Sequence, residues 1–272
     1  MVVTALEGVF TRSEWSAQAA LSDEARRDYG QTGFVIVRGV FGPEEVSRWA
    51  AEADRLLDRS DLIDKQNLRC RFQGHCAGGE CLFETFDPVI DLSSVIRDVA
   101  VDPRILDLLA ALYGEPGCLL KDKLIFKPPG AMGYALHQDY IAWPSFPRSF
   151  LTVLVPIDAT NAANGCTEVF ADRHRQGTLA AEDGDYHELT DEVVRGADSL
   201  LLELQPGDLA IFGGFTPHRS GPNASSGWRR QLYLSYNARS DGGDQRAAHY
   251  QEFQRFLRRK YAEYGLTDTY FL

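Results

Sequence analysis

A chain of 272 residues that is 44% apolar, 11% aromatic and 25% charged carries enough apolar surface for a full core and is not a disordered polymer. Its net charge of −11, without any sustained Lys/Arg run, excludes a general nucleic-acid surface. No apolar stretch approaches the roughly 20 residues of a membrane span, and residues 1–18 carry Glu7, Arg12 and Glu14 where a leader would carry an apolar centre.

Residues 22–29 read as a short helix with an acidic first turn, and residues 33–39 (GFVIVRG) as a strand bounded by glycines. Pro43 and two glutamates open a helix that runs to Leu57, with Val46, Trp49, Ala50, Ala53, Leu56 and Leu57 at helical spacing. The segment 70–81 holds Cys70, His75, Cys76 and Cys81 and looks like a zinc loop, but its spacings are wider than those of paired zinc ligands. A Gly-rich surface or active-site loop is the better reading. With Cys118 and Cys166 the cysteines number five, an odd count without a CxxC pair, which fits free thiols in a cytoplasmic protein. Asp102 and Pro103 start a further helix, with Ile105, Leu106, Leu108, Leu109 and Leu112, that stops near Gly114.

From Cys118 onward the style changes. Short apolar runs at 119–126, 150–157, 166–170, 209–212 and 230–236 alternate with Pro- and Gly-containing turns, the pattern of an all-β sandwich or barrel. Residues 180–200 form an acidic insertion, a surface loop or a lid, and 249–264 read as a polar amphipathic helix. No repeat or linker divides the chain, so residues 1–272 are read as one domain: a helical part over about 1–117, a β core over about 118–240 and a closing helix over about 246–264.

The chemistry sits in the β part. His137-Gln-Asp139 is a His-x-Asp motif, and on a strand residues two apart share a face, so both side chains would reach one metal. Alone this motif is weak, because a structural histidine hydrogen-bonded to a nearby carboxylate produces it too. A second histidine, His218, follows a turn and an apolar run (PGDLAIFGGFTPH) far downstream. Two histidines and one carboxylate make one face of an octahedron and leave open positions for a co-substrate and O2, the arrangement of non-haem iron(II) oxygenases. Arg229 lies at the start of the next strand; a buried dicarboxylate needs a planar, permanently charged partner, and Ser220 can add a hydroxyl.

Taken in order, residues 33–39, 127–130 (KPPG), His137-Gln-Asp139, 164–170 (NGCTEVF) followed by His174, Gly207-Asp208, His218 with Ser220 and Asn223, and Arg229 resemble the phytanoyl-CoA dioxygenase family over residues 30 to 240. The resemblance implies a double-stranded β-helix, a cupin-like jelly roll, mainly β with flanking helices. It implies iron(II) held by His137, Asp139 and His218, and 2-oxoglutarate as co-substrate with O2, its distal carboxylate on Arg229 and Ser220, with Thr152 and Lys123 on strands lining the cofactor pocket. It also implies oxidative decarboxylation to succinate and CO2 coupled to substrate hydroxylation. Relatives more often show Pro-Gly-Ser-His where this chain has Ala171-Asp172-Arg173-His174; His174 is read as structural. Related halogenases have a small residue at the position of Asp139, so the carboxylate favours hydroxylation.

For the substrate, Gln138, Tyr140 and Trp143 follow the first ligand and are expected at the cleft. Arg69 and Arg71 would face one way on a strand and, with Lys121 and Lys123, could receive a carboxylate or phosphonate. The expected partner is therefore a small polar, anionic metabolite or natural-product intermediate, with no nucleic acid and no membrane; the sequence sets no oligomeric state. Two other readings stand beside this one: a cupin-type metal enzyme that does not use 2-oxoglutarate, and a metal-free jelly-roll binding module. Neither needs an anchor such as Arg229 and Ser220.

Overall fold

The computed structural model describes residues 21–79, 81–143 and 146–272; the segment 1–18 read for a leader lies outside them. Two antiparallel sheets face each other, with helices covering the outer side of the larger. The first elements are α1 (Asp23–Thr32), β1 (Phe34–Val37) and α2 (Pro43–Leu57). Helix α2 starts as its sequence predicts: Pro43 occupies the first turn, and Glu45 accepts a hydrogen bond from the Gly42 N–H at 3.0 Å. A hairpin follows, β2 (Cys70–Gly74) and β3 (Cys81–Phe86), then α3 (Ser94–Ala100) and α4 (Pro103–Tyr113). The β-rich part supplies β4 (Gly117–Ile125), β5 (Tyr134–His137), β6 (Leu151–Pro156), β7 (Thr167–Phe170), β8 (Ser199–Leu201), β9 (Leu209–Gly213), β10 (His218–Ser220) and β11 (Gln231–Ala238), and α5 (Arg246–Glu263) closes the chain.

The larger sheet has the order β1-β9-β6-β11-β4-β3-β2 and the smaller β5-β10-β7-β8. Side-chain alternation sorts the larger sheet into two faces. Val35 and Val37, Val153 and Val155, Leu209 and Ile211, and Leu232 and Leu234 pack outward against α2, α3 and α4. Phe34, Ile36, Leu154, Ala210, Phe212 and Tyr233 point between the sheets and meet Val169 of the smaller one. On β4 the inward set is Lys121, Lys123 and Ile125, two of them charged, which marks this end of the inter-sheet space as something other than core.

Two expectations change. Within the part read as helical over about 1–117, the described residues of 21–117 also supply three strands of the larger sheet: β1 sits at one edge and the hairpin β2–β3 at the other. The hairpin escapes a periodicity reading because Gly74, Gly78 and Gly79 break its apolar pattern into short pieces. It also takes the place of the Gly-rich loop expected over residues 70–81, where Cys70 is buried in the core and Cys76 and Cys81 are exposed. Among the described residues all five cysteines are free thiols, and no helix is long and apolar enough to cross a membrane.

Candidate active site

The smaller sheet aligns the two histidines. His137 ends β5, His218 begins β10, and the two are direct cross-strand partners with ring centroids 4.2 Å apart. The approach of these strands depends on Gly133, where a Cβ would lie 1.9 Å from the Ser220 carbonyl oxygen. Each imidazole is oriented from behind. Nδ1 of His137 meets the Ala135 carbonyl at 2.7 Å, and Nδ1 of His218 meets the Thr216 carbonyl at 3.0 Å. A ring that donates from Nδ1 presents the Nε2 lone pair, the form a metal needs. Burial and the neighbouring His218 push the His137 pKa down to about 3, so its imidazole is neutral and ready to ligate.

Asp139 lies two residues past the end of β5, so strand alternation is not what brings it in; the chain leaves the sheet and turns back toward the rings. Its Oδ1 is 3.7 Å from His137 Nε2 and 3.8 Å from His218 Nε2. Burial would raise its pKa, but His218, Lys123, His137 and Lys121 outweigh that and hold it below the usual carboxylate range. Thr152 Oγ1 donates to Asp139 Oδ2 at 3.2 Å and is itself paired with Ser235 Oγ at 3.1 Å. Among the described residues these three are the one group of histidine, cysteine and acidic side chains whose ligand atoms converge. Two neutral nitrogens and one carboxylate oxygen, with their outer atoms already engaged, fit a divalent iron ion.

The three line a cavity of about 720 Å³. Lys121, Lys123 and Arg71 form its cationic wall, Ser220 and Tyr134 flank the histidines, and Phe253, Phe256 and Leu257 of α5 close the far side. Lys123 Nζ sits 4.8 Å above the Tyr233 ring, and Lys121 Nζ is 3.3 Å from the buried carboxylate of Asp87. Arg71 stacks over Phe253 at 5.0 Å, and its Nη2 is buried without a hydrogen-bond partner. Arg229 is fully buried, its Nε also lacks a partner, and it lies in a charged layer with Lys127 and Glu84 rather than on the cavity wall.

Several expected substrate residues are placed elsewhere. Arg69 precedes β2, is 2% exposed, and forms a bidentate pair with Asp91 at 2.8 Å while also donating to the Pro88 carbonyl; it shares no face with Arg71. Tyr140 packs on Phe215 and Phe146. Trp143 donates to the Gly184 carbonyl and lines only a small side chamber with Lys121, Lys123, Asp139 and His249. Gln138 touches the cavity, but its amide is used by Gly177, Leu179 and Phe215 backbone groups. Thr152 faces Asp139 instead of the cavity. The acidic insertion, left open between loop and lid, sends Tyr186 and Glu188 to the cavity, with the Tyr186 ring 5.4 Å from that of His137. His174 is no ligand: its ring lies against Gly33, where a Cβ would be 2.6 Å from Nδ1.

A jelly roll with two histidines and a carboxylate at the mouth between its sheets defines a non-haem iron(II), 2-oxoglutarate-dependent dioxygenase. The chain belongs to the phytanoyl-CoA dioxygenase (PhyH) family, whose model matches residues 29–231. It is 36% identical over 212 residues to a methylphosphonate hydroxylase from Gimesia maris, covering 78% of this chain and 75% of the relative. It is 30% identical over 226 residues to a 2-aminoethylphosphonate dioxygenase from an uncultured bacterium, covering 81% and 83%. In fold it is similar to EctD from S. alaskensis, solved with 2-oxoglutarate and 5-hydroxyectoine, with a TM-score of 0.68 at 21% identity over 88% of this chain and 85% of that one. Iron(II) and 2-oxoglutarate are thus its cofactor and co-substrate, and the first of these relatives is by name a hydroxylase.

Proposed function

We propose that this enzyme hydroxylates a small organophosphonate. The observation that carries the reading is the cationic wall: Arg71, Lys121 and Lys123 line the same cavity as the iron ligands, and one nitrogen of Arg71 is buried with nothing to bond. A buried donor without a partner costs about 1–3 kcal/mol, a cost that a tetrahedral anion removes. Two relatives that act on phosphonates by name support the same class.

In this reading the residues divide into two sets. Ser220 on the cavity wall receives the distal carboxylate of 2-oxoglutarate, with the buried charge of Arg229 in the layer behind it and Lys123 on the same cavity. Arg71 and Lys121 receive the substrate anion, the Phe253 ring forming the floor beneath both cations. Bound iron(II) supplies O2 activation coupled to conversion of 2-oxoglutarate into succinate and CO2. The protein's part is to hold the anion at the wall so that a carbon near the phosphorus faces the His137–Asp139–His218 triad, and to keep that face dry. The apolar side chains of α5 exclude water from one side. Tyr186 lies over the ring of His137 and shields the other. The five unpaired thiols suit a reducing compartment, and we place the enzyme in the cytoplasm.

The test is succinate formation with iron(II), ascorbate and 2-oxoglutarate against methylphosphonate, 2-aminoethylphosphonate and the matching carboxylates and sulfonates. A phosphonate should stimulate succinate release at least tenfold over the substrate-free rate and yield a hydroxylated product by ³¹P NMR. Arg71→Ala should raise the KM for that phosphonate at least tenfold and leave the 2-oxoglutarate requirement in place. Substrate-free turnover that no phosphonate increases would reject the substrate class while leaving the dioxygenase class standing.

A further inference from the structure

Lys127 is a charged side chain with no exposed surface, on the first turn after β4. Its backbone is in the left-handed region, φ +34°, which a lysine adopts only when its surroundings hold it there. Its ammonium has three hydrogens and three acceptors: the Gly165 carbonyl at 3.3 Å, the Gly221 carbonyl, and Ser220 Oγ at 3.1 Å. Ser220 Oγ also accepts the Tyr134 N–H at 3.2 Å. Two donors therefore occupy the two lone pairs of the hydroxyl, and the one direction left for its own hydrogen is outward, into the cavity that Ser220 lines.

The charge count of this layer points the same way. Lys127 and Arg229 are two buried cations, and Glu84 is the facing carboxylate. Glu84 takes a hydrogen bond from the Tyr134 hydroxyl at 2.5 Å on one oxygen and has nothing on the other. Burial raises the Glu84 pKa toward the neutral form. The layer is left with an excess of positive charge that a carboxylate arriving at Ser220 would neutralise.

We infer that Lys127 is a positioning residue for 2-oxoglutarate: it makes Ser220 a one-way donor toward the distal carboxylate and adds a second buried positive charge behind Arg229. This rests on the reading of Ser220 and Arg229 as the carboxylate anchor. Burial, and then Arg229, push the pKa of Lys127 down to about 7, with Glu84 and Cys166 acting against them. The groups facing it are Glu84 on β3, Arg229 ahead of β11, Cys166 ahead of β7, Ser220 on β10 and, through Glu84, Tyr134 on β5. Deprotonated, its nitrogen keeps two hydrogens for three acceptors, and the hold on Ser220 loosens.

The experiment is anaerobic titration of the iron(II)-loaded protein with 2-oxoglutarate, followed by the visible metal-to-ligand charge-transfer band, between pH 6.5 and 9. Wild type should bind progressively more weakly above pH 7. Lys127→Met should bind about 10- to 100-fold more weakly at pH 6.5, the size of one charge-assisted hydrogen bond, and its affinity should not vary with pH. At saturating 2-oxoglutarate the variant's kcat should stay within about threefold of wild type, which separates a positioning loss from a folding loss. Ser220→Ala and Lys127→Met together should weaken binding by clearly less than the product of their separate fold-losses, because the two share one hydrogen bond. A flat wild-type profile, or full additivity of the two variants, overturns the inference; the wild-type profile decides it even if Lys127→Met does not fold. If Ser220→Ala and Arg229→Ala both bind 2-oxoglutarate normally, the anchor reading itself is wrong. If they bind weakly and Lys127→Met binds normally, only the role of Lys127 fails.

Discussion

Thr152 donates its hydroxyl hydrogen to Asp139 Oδ2 at 3.2 Å, which leaves Oδ1 as the oxygen facing His137 and His218. The third metal ligand, which no strand carries, is thereby held from β6 of the opposite sheet. Thr152→Val keeps the shape and deletes the donor. It should lower iron(II) affinity about tenfold or more, in the range typical for partners of metal ligands, and Thr152→Ser should retain most of it. Competition for iron(II) against a chelator of known affinity measures both; equal affinity in Thr152→Val and wild type would remove the role.

Arg229 and Arg230 are neighbours with opposite surroundings. Arg229 is buried in the charged layer, whereas Arg230 is paired with Asp158 at 2.8 Å and Asp54 at 2.6 Å on the outer side. Arg229→Ala should raise the 2-oxoglutarate requirement at least tenfold, about 1.4 kcal/mol or more, with Lys a partial rescue because it lacks the planar fork. Arg230→Ala should cost roughly 1 kcal/mol of stability or less and leave 2-oxoglutarate dependence as it was. Steady-state kinetics with a thermal melt on each variant separates the two, and the reverse pattern would move the anchor.

Gly133→Ala places a methyl group 1.9 Å from the Ser220 carbonyl oxygen, so β5 and β10 must separate. The variant should lose roughly 1–3 kcal/mol of stability, as overpacked sites do, together with most of its iron affinity, since His137 and His218 are partners across that pair. Chemical denaturation gives the first quantity and iron titration the second. A stable variant with normal iron affinity would show that the strands tolerate the shift.

His249 on α5 is buried, stacks on Phe253 at 5.8 Å, and has an unpartnered Nε2. Burial, then Lys121, push its pKa down to about 3, while the unfolded chain takes up the proton near pH 6.5. The unfolded state therefore binds the proton first, and this group withdraws stability as pH falls from about 6.5 toward 3. His249→Phe should fill the same stack without the titration and flatten that acid limb. Melting temperatures of metal-free wild type and variant between pH 7 and 4 test it; parallel curves would assign the acid sensitivity elsewhere.

The part of the site that was legible in the sequence is the part made by chain order. A His-x-Asp, a later histidine after a strand, and an arginine one turn further on are local patterns, and they converge because β5 and β10 are partners. Even there the route differed, since Asp139 arrives from a turn and not by strand alternation. The substrate side was less readable because its geometry is set by distant partners. Arg69 and Arg71 look alike in sequence, and the difference is that Asp91 captures one while Phe253 underlies the other. Lys127 was visible only as the first letter of a Pro-Gly turn, because nothing local announces that Gly165, Ser220 and Gly221 will surround it.

The hairpin β2–β3 has a consequence for how such an enzyme can diversify. It sits at an edge of the larger sheet and contributes Arg71 and Thr85 to the cavity, whereas two of the three iron ligands lie on the smaller sheet. On the proposed reading, substrate choice rests on the larger sheet and oxidising power on the smaller, and the two meet at the hairpin tip, where the Cys76 N–H bonds the Gly130 carbonyl and the Met132 N–H the Gly74 carbonyl. Arg71 lies within β2, away from that junction, so this cation can be exchanged without disturbing the register that pairs His137 with His218. Exchanging it between members of the family is then a way to move selectivity while the oxidation itself travels unchanged.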